Sequence, residues 1–232
     1  MKKVNHPTSK RLKEVSKEID PKKTYSIEEA MELVKKTSTV KFDASVEVHA
    51  KLGIDPKKSD QQVRSSVILP NGSGRTVKVA VITSDPELSS QAKEAGADLV
   101  GEKDLIEDIK KGKINFSSLV ASPEAMKLLA PVAKILGPRG LMPNPKDGTV
   151  TKNIKEAVSN LKKGQISFKN DDSGNVHAII GKTSFETGKL LENYNAFMEN
   201  LKKARPTTAK GTYIKNLSLT SSMGPSVKVT LE

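Results

Sequence analysis

Apolar residues recur along this chain in two rhythms, and the switch between them divides it. Near the start, SKRLKEVSKEI predicts a short, charged helix. SIEEAMELVKKTS predicts a second, with Ser26 and Glu29 three residues apart as a capping box and Ala30, Leu33 and Val34 on one face. FDASVEVHAKLG then alternates Val46, Val48, Ala50 and Leu52 with Glu47, His49 and Lys51, the period-two mark of a half-buried strand. RSSVILP is a further strand, and NGSG at 71–74 is a turn-rich breaker.

Past the breaker, strands and helices alternate. TVKVAVIT, DLVG and SSLVAS read as strands; SDPELSSQAKEAGA, EKDLIEDIKKG and PEAMKLLAPVAKILG read as the helices between and after them, with Pro86 opening the first. Such repetition predicts a parallel, doubly wound sheet. After VTKNIKEAVSNLKKG the pattern reverts: QISFKNDDSGNVHAIIGK predicts two strands around an Asp-Asp-Ser-Gly turn. A long helix follows from about Thr183 to Ala204, burying Leu190, Leu191, Tyr194, Phe197 and Leu201. YIKNLSLT and SVKVTLE close the chain as strands.

The predicted fold class is α/β in two domains. Residues 1–71 and 161–232 form a discontinuous α+β domain holding both termini, and residues 72–160 form an inserted Rossmann-like domain; two separate terminal domains are the alternative. Charge follows the same division, with 15 basic and 10 acidic side chains in the first flank, 11 and 6 in the last, but 13 and 11 in the middle.

The net charge of +12 favours a polyanionic partner, nucleic acid before an anionic membrane surface, because phosphates neutralised by Lys or Arg release condensed counterions. With no cysteine, disulfides and thiolate zinc sites are excluded. The basic amino-terminal segment has no apolar stretch of a secretion signal, and no run approaches the roughly 18 apolar residues of a membrane helix. A cytoplasmic location, without membrane attachment, is expected.

Catalytic signatures are missing. GKTS at 181–184 lacks the glycine that a phosphate loop needs five residues before Gly-Lys, where Val176 stands, so a strand-to-helix turn is expected. The turn after the first strand of the middle region, TSDPEL, has no glycine for a dinucleotide. His6, His49 and His177 are scattered, and the last two read as ordinary packed or surface histidines; Asp171 and Asp172 read as turn formers. No enzyme, metal or cofactor is expected. Aromatic residues are 3% of the chain, which argues against base stacking and for RNA read through phosphates, 2'-hydroxyls and shape.

LGPRGLMPNPKDGTV at 136–150 is the densest irregular stretch. Extended backward to LLAPVAKILGPRGLMPNP, it closely resembles the signature of the ribosomal protein L-one family, the first-numbered family of the large subunit; KFDASVEVHAKLGIDPKKSDQQVR and TSSMGPS resemble its bacterial members. The resemblance implies a two-domain protein that binds large-subunit ribosomal RNA at the mobile stalk, beside the exit site for deacylated tRNA. It further implies help in releasing that tRNA, repression of its own operon through an mRNA that imitates the ribosomal site, and a monomer off the ribosome. Carried over by motif, the RNA contacts fall on Lys41, Phe42 and Ser45, and on Asn216, Ser218, Thr220, Ser222, Met223 and Gly224, with Lys169 a phosphate partner. Many relatives have Thr at Ser222. TSSMGPS, on this resemblance, is both a turn and a binding surface: Gly224 lets backbone approach RNA closely and the hydroxyls meet phosphate or 2'-OH.

Overall fold

The computed structural model describes residues 9–21 and 23–231, so the reading of the amino-terminal stretch through His6 lies outside it. Contacts divide the chain into two compact units, Met1–Val63 with Phe168–Glu232, and Arg64–Ser167. The sequence reading drew the insert at 72–160. The division adds residues 64–71 and 161–167 to the middle unit, because the strand Arg64–Ile68 pairs with the strand Gln165–Lys169 that follows the unit's last helix.

The first unit opens with α1 (Lys10–Val15) and α2 (Ile27–Lys36). In α2 the capping box forms as expected: the Ser26 side chain accepts from Glu29 N, and the Glu29 carboxylate accepts from Ser26 N. β1 (Ser45–Leu52) follows and alternates as its sequence dictates, with Val46, Val48, Ala50 and Leu52 buried and Glu47, His49 and Lys51 half-buried on the other side.

The middle unit begins with β2 (Arg64–Ile68), then runs β3 (Val79–Ile82), α3 (Pro86–Glu94), β4 (Leu99–Gly101), α4 (Lys103–Lys110) and β5 (Ser118–Ala121). Its sheet is parallel, in the order β4-β3-β5. Both faces are covered: Val79 and Val81 of β3 sit in one apolar cluster with Ala92 of α3, and Ala80 and Ile82 sit in the other with Ile106 and Ile109 of α4. Asp85 caps α3 with Pro86 at its first position, a plain helix entry with no phosphate-binding turn.

PEAMKLLAPVAKILG departs from the single helix its periodicity predicts. It forms α5 (Met126–Leu129), a 3-10 turn through Pro131, and α6 (Ala133–Leu136), because proline has no N–H for the helical ladder and its ring clashes with the preceding turn. α7 (Ile154–Lys162), capped by Asn153, packs on β3 and β5.

β6 (Gln165–Lys169) carries the chain back. It pairs with β2, whereas β7 (Asn175–Lys182) pairs with β1, so the two strands around the Asp-Asp-Ser-Gly turn share only the bridge Asn170↔Val176. The turn itself is tied down by Asp171, whose carboxylate accepts from Ser173 N and Asn175 N. Next come α8 (Thr187–Lys203), β8 (Ile214–Ser221) and β9 (Ser226–Lys228). α8 buries Leu190, Tyr194, Phe197 and Leu201 as expected, but Leu191 is only half-buried, and Asn193 takes the core position, donating to Ile180 O at 2.7 Å.

The sheet of this unit is antiparallel, ordered β7-β1-β8-β9, with α2 and α8 packed against it. Phe168 meets Phe197 edge to face. Beyond β9 the edge is closed by Tyr25, which donates from N to Lys228 O at 3.0 Å and accepts at O from Thr230 N at 2.9 Å.

Candidate nucleic-acid interface

Pairing register decides which polar side chains become neighbours. In an antiparallel ladder, directly opposed residues share a face. The side of the sheet away from α2 and α8 therefore carries cross-strand rows. Ile179, Glu47, Thr220 and Ser226 form one; His177, His49, Ser218 and Lys228 the next; Asn175, Lys51 and Asn216 the third. From Ser45 to Lys51 this face runs about 20 Å along the strand direction.

At one end of the face, the two segments singled out from sequence meet. Ser222 N donates to Ser45 O at 2.9 Å, and the Ser222 hydroxyl accepts from Ser45 N at 3.2 Å, extending the β1–β8 ladder past its last strand residue with one backbone bond and one side-chain bond. Lys41 and Phe42 lie four and three residues before Ser45; both are exposed, Phe42 to 56%. Lys169, the last residue of β6, is exposed too, but it lies at the opposite end of the sheet, next to the Asn170↔Val176 bridge.

The turn between β8 and β9 is closed by Gly224 N donating to Ser221 O at 2.8 Å. Its third residue, Met223, has φ 63°, and among the described residues it is the one non-glycine with positive φ. Glycine or asparagine is the usual occupant there, and a left-handed conformation costs an ordinary L-residue about 1–2 kcal/mol. Met223 is also 72% exposed. Arg11 of α1 donates from Nη2 to Met223 O at 2.6 Å and from Nη1 to Thr39 Oγ1 at 3.1 Å, pinning both loops of the site.

Gly224 also serves the turn itself. Its φ is not positive, and a Cβ there would run into Ser221 Oγ and lie 3.2 Å from Ser221 O, so the glycine is demanded by the turn's own packing. The hydroxyls have partners within the protein as well. Thr220 Oγ1 lies 3.1 Å from Pro225 O and 3.3 Å from Gly224 O and donates within the turn, while Ser45 is buried with its Oγ accepting from Lys182 Nζ at 3.1 Å. Ser218 stays half-buried on the open face, and the exposed Asn216 turns its Oδ1 toward Leu217 N at 3.0 Å.

Two carboxylates beside the face, Asp43 and Asp171, are held below their ordinary range. Against slight burial, hydrogen bonds from Ser184 and Thr183 lower the pKa of Asp43. The same contacts explain GKTS: Thr183 and Ser184 cap the loop to Asp43, and Gly181 admits Leu190, whose Cδ2 would lie 2.6 Å from an added Cβ. Asp171 is pulled down to about 2, chiefly by the Asn175 backbone N–H and then its side-chain amide. His49 and His177 are in contact, Nδ1 to Nδ1 at 2.7 Å. Burial, then the neighbouring His177, lowers the His49 pKa, while Glu47 opposes the shift.

Arg11 and the histidine pair were not assigned to the site from sequence. No local signal marks Arg11, which is distant from its partner by 212 positions. Both histidines stand at outward positions of alternating strands, but only the β1–β7 register makes them neighbours. Among the described residues no group of three or more His, Cys, Asp or Glu could hold a metal ion, and no helix is long and apolar enough to cross a membrane.

Fold and face together define a basic α/β protein of two units, with an uncovered polar sheet face in the unit built from both flanks. The sequence model of the Ribosomal protein L1p/L10e family matches residues 34–225, and the chain belongs to that family. Relatives include the large ribosomal subunit protein uL1 of Mannheimia succiniciproducens, 51% identical over 221 residues that cover 95% of this chain and 96% of the relative. The uL1 proteins of Neisseria meningitidis serogroup C, 50% identical, and Laribacter hongkongensis, 49% identical, are matched over 95% of this chain and 95% and 94% of their own lengths. The family is structural and not enzymatic.

Proposed function

We propose that this protein is a structural component of the large ribosomal subunit that binds large-subunit RNA at the base of the mobile stalk, in the cytoplasm. On the same reading it assists release of deacylated tRNA from the exit site and represses its own operon by binding an mRNA that imitates the ribosomal site. Off the ribosome it is a monomer, and the discontinuous unit is the RNA-binding domain. Family membership supports the ribosomal role.

The observation that carries the RNA reading is the Ser45–Ser222 junction, which makes one surface of segments 177 positions apart. Lys41 supplies charge, and Phe42 and Met223 supply exposed apolar surface. The remaining contacts are Ser45, Asn216, Ser218, Thr220, Ser222 and Gly224, with Lys169 reaching phosphate from the far end.

A filter-binding titration of the pure protein against the stalk-base RNA fragment, at low and high salt, tests this. Specific binding that weakens as salt rises is expected. Affinity no better than for an unrelated hairpin would sink the proposal. Replacing residues 64–166 by a short Gly-Ser link, which keeps the buried Phe168, is expected to preserve specific binding. If that variant folds but binds no better to the stalk fragment than to the hairpin, the contacts lie in the middle unit.

A further inference from the structure

The His49–His177 pair sits in the central row of the open face, directly opposite Ser218, with Lys228 next in the row. Two Nδ1 atoms 2.7 Å apart require one ring to donate and the other to accept. Asp171 Oδ2 lies 3.6 Å from His177 Nε2 and favours a proton there, which leaves His177 Nδ1 to accept from His49 Nδ1–H. The site open to another proton is then His49 Nε2, 4.0 Å from Glu47 Oε2. One added proton keeps the His–His bond; a second would set N–H against N–H.

The surroundings make that proton useful. Two carboxylates, Glu47 and Asp171, stand on or beside a face proposed to meet phosphates. The ammonium groups around it are engaged: Lys51 Nζ donates to Ser173 O, and Lys228 Nζ to Pro21 O at 2.9 Å. β7 adds Asn175, Ile179 and, at the far end opposite Ser45, Lys182, whose ammonium is engaged with Asp43 O and Ser45 Oγ, both at 3.1 Å; β8 adds the uncharged Asn216, Ser218 and Thr220. An imidazolium between the carboxylates offsets them toward an approaching phosphate, and strands about 5 Å apart put a phosphate held at Ser218 well within the screening length of about 8 Å.

We propose that the His49–His177 pair is a proton-linked part of the RNA-binding face, taking up one proton when RNA docks beside it. The inference rests on the RNA-binding reading above. In the free protein, burial and the neighbouring ring keep His49 neutral to lower pH than an ordinary imidazole. A docked polyanion raises that pKa. Binding therefore tightens as pH falls from the bound pKa toward the free one, by at most about tenfold per pH unit, and levels off on either side.

The test is calorimetric titration of the full chain with the stalk-base RNA fragment in two buffers of different ionisation enthalpy near about pH 7, with affinities followed from about pH 6 to about pH 8. Uptake of a fraction of one proton by the wild type, absent in His49→Gln and changed in His177→Gln, which keeps the proton-accepting ring but removes its neighbour, is expected, as is a pH slope that His49→Gln loses. Specific binding by the wild type with no proton uptake, or with uptake that His49→Gln retains, would overturn the inference and leave the RNA reading standing. Binding no better than to an unrelated hairpin at every pH would remove both. The wild-type proton count stands by itself if either variant is unstable.

Discussion

Met223 combines two properties that a fold alone would not select, so replacing it separates structure from binding. Its φ of 63° costs about 1–2 kcal/mol in an L-residue. Glycine removes that strain but gives back about 0.5–1 kcal/mol through the greater freedom of the unfolded chain. Met223→Gly is therefore expected to stabilise the protein by about 0.5–1 kcal/mol, a rise of about 1–4 °C in Tm for a chain of this size. Met223→Ala keeps the strained backbone and should leave Tm nearly unchanged. Both variants delete a side chain that is 72% exposed in the free protein. If RNA covers it, burial of the thioether contributes about 1–2 kcal/mol, so both should bind the stalk fragment about 5- to 30-fold more weakly. Thermal unfolding and filter binding on the same preparations read the two quantities. A Gly variant less stable than the Ala variant would refute the strain argument, and affinities within twofold of wild type would refute the contact.

Other side chains in the same turn give sharper structural readouts. Arg11→Ala, which frees Met223 O and Thr39 Oγ1, should lower stability by about 1 kcal/mol, and a double-mutant cycle with Met223→Gly should give a coupling energy different from zero. Ser222→Ala strands Ser45 N without its acceptor and should cost about 1–3 kcal/mol in denaturant unfolding as well as affinity, so it cannot serve as a pure contact probe. Ser221 Oγ is buried with no hydrogen-bond partner, and Ser221→Ala should be neutral or raise Tm. Asp171, depressed to about 2 in the fold against an unfolded value of about 3.9, contributes stability that is complete above that unfolded value and disappears as pH falls toward about 2. Asp171→Ala should accordingly reduce Tm at neutral pH and flatten its decline over that acidic range, though the carboxylate's exposure keeps the effect small.

Much of the architecture was legible because it is written in local chemistry. Ser26 with Glu29, Pro86 at a helix entry and the alternation through Val46, Val48, Ala50 and Leu52 each specify an element within a few residues. Pro131 also carried its message, but a continuous apolar period over PEAMKLLAPVAKILG overrode it in the reading. What stayed hidden is non-local. Alternation identifies β6 and β7 as strands without saying that β6 joins β2 and β7 joins β1. In the same way His49 and His177 declare an outward face but not each other. At the candidate site, the resemblance singled out the segments around Ser45 and Met223, while their meeting and the inward use of their hydroxyls depended on register. The sequence reading placed Gly224 where backbone approaches RNA, but gave no sign that the positive φ of this turn belongs to its neighbour Met223.

The saturation of those hydroxyls changes what the surface can recognise. Thr220 donates within the turn, Ser222 completes the ladder to Ser45, and Ser45 accepts from Lys182, so three of the polar groups expected to meet RNA are already committed to holding the turn in place. Their lone pairs can still accept, but their geometry is fixed by the protein. Of the residues expected to meet RNA, those still turned outward are Lys41 and Lys169, the apolar side chains of Phe42 and Met223, Ser218, and Asn216, whose Oδ1 is engaged with Leu217 N. A surface of that make-up contains little that could read base edges by paired donors and acceptors. It suits a ligand recognised through the course of its backbone, since rigid apolar projections select for shape while a cation and a few amide or hydroxyl groups fix register on phosphates and sugars. On the proposed RNA-binding reading, rigidity is the useful property of the turn, because a preorganised surface loses less conformational entropy on binding. The strain at Met223 is tolerable for the same reason: Arg11, Ser45 and Thr220 hold the backbone where an unbraced loop would relax.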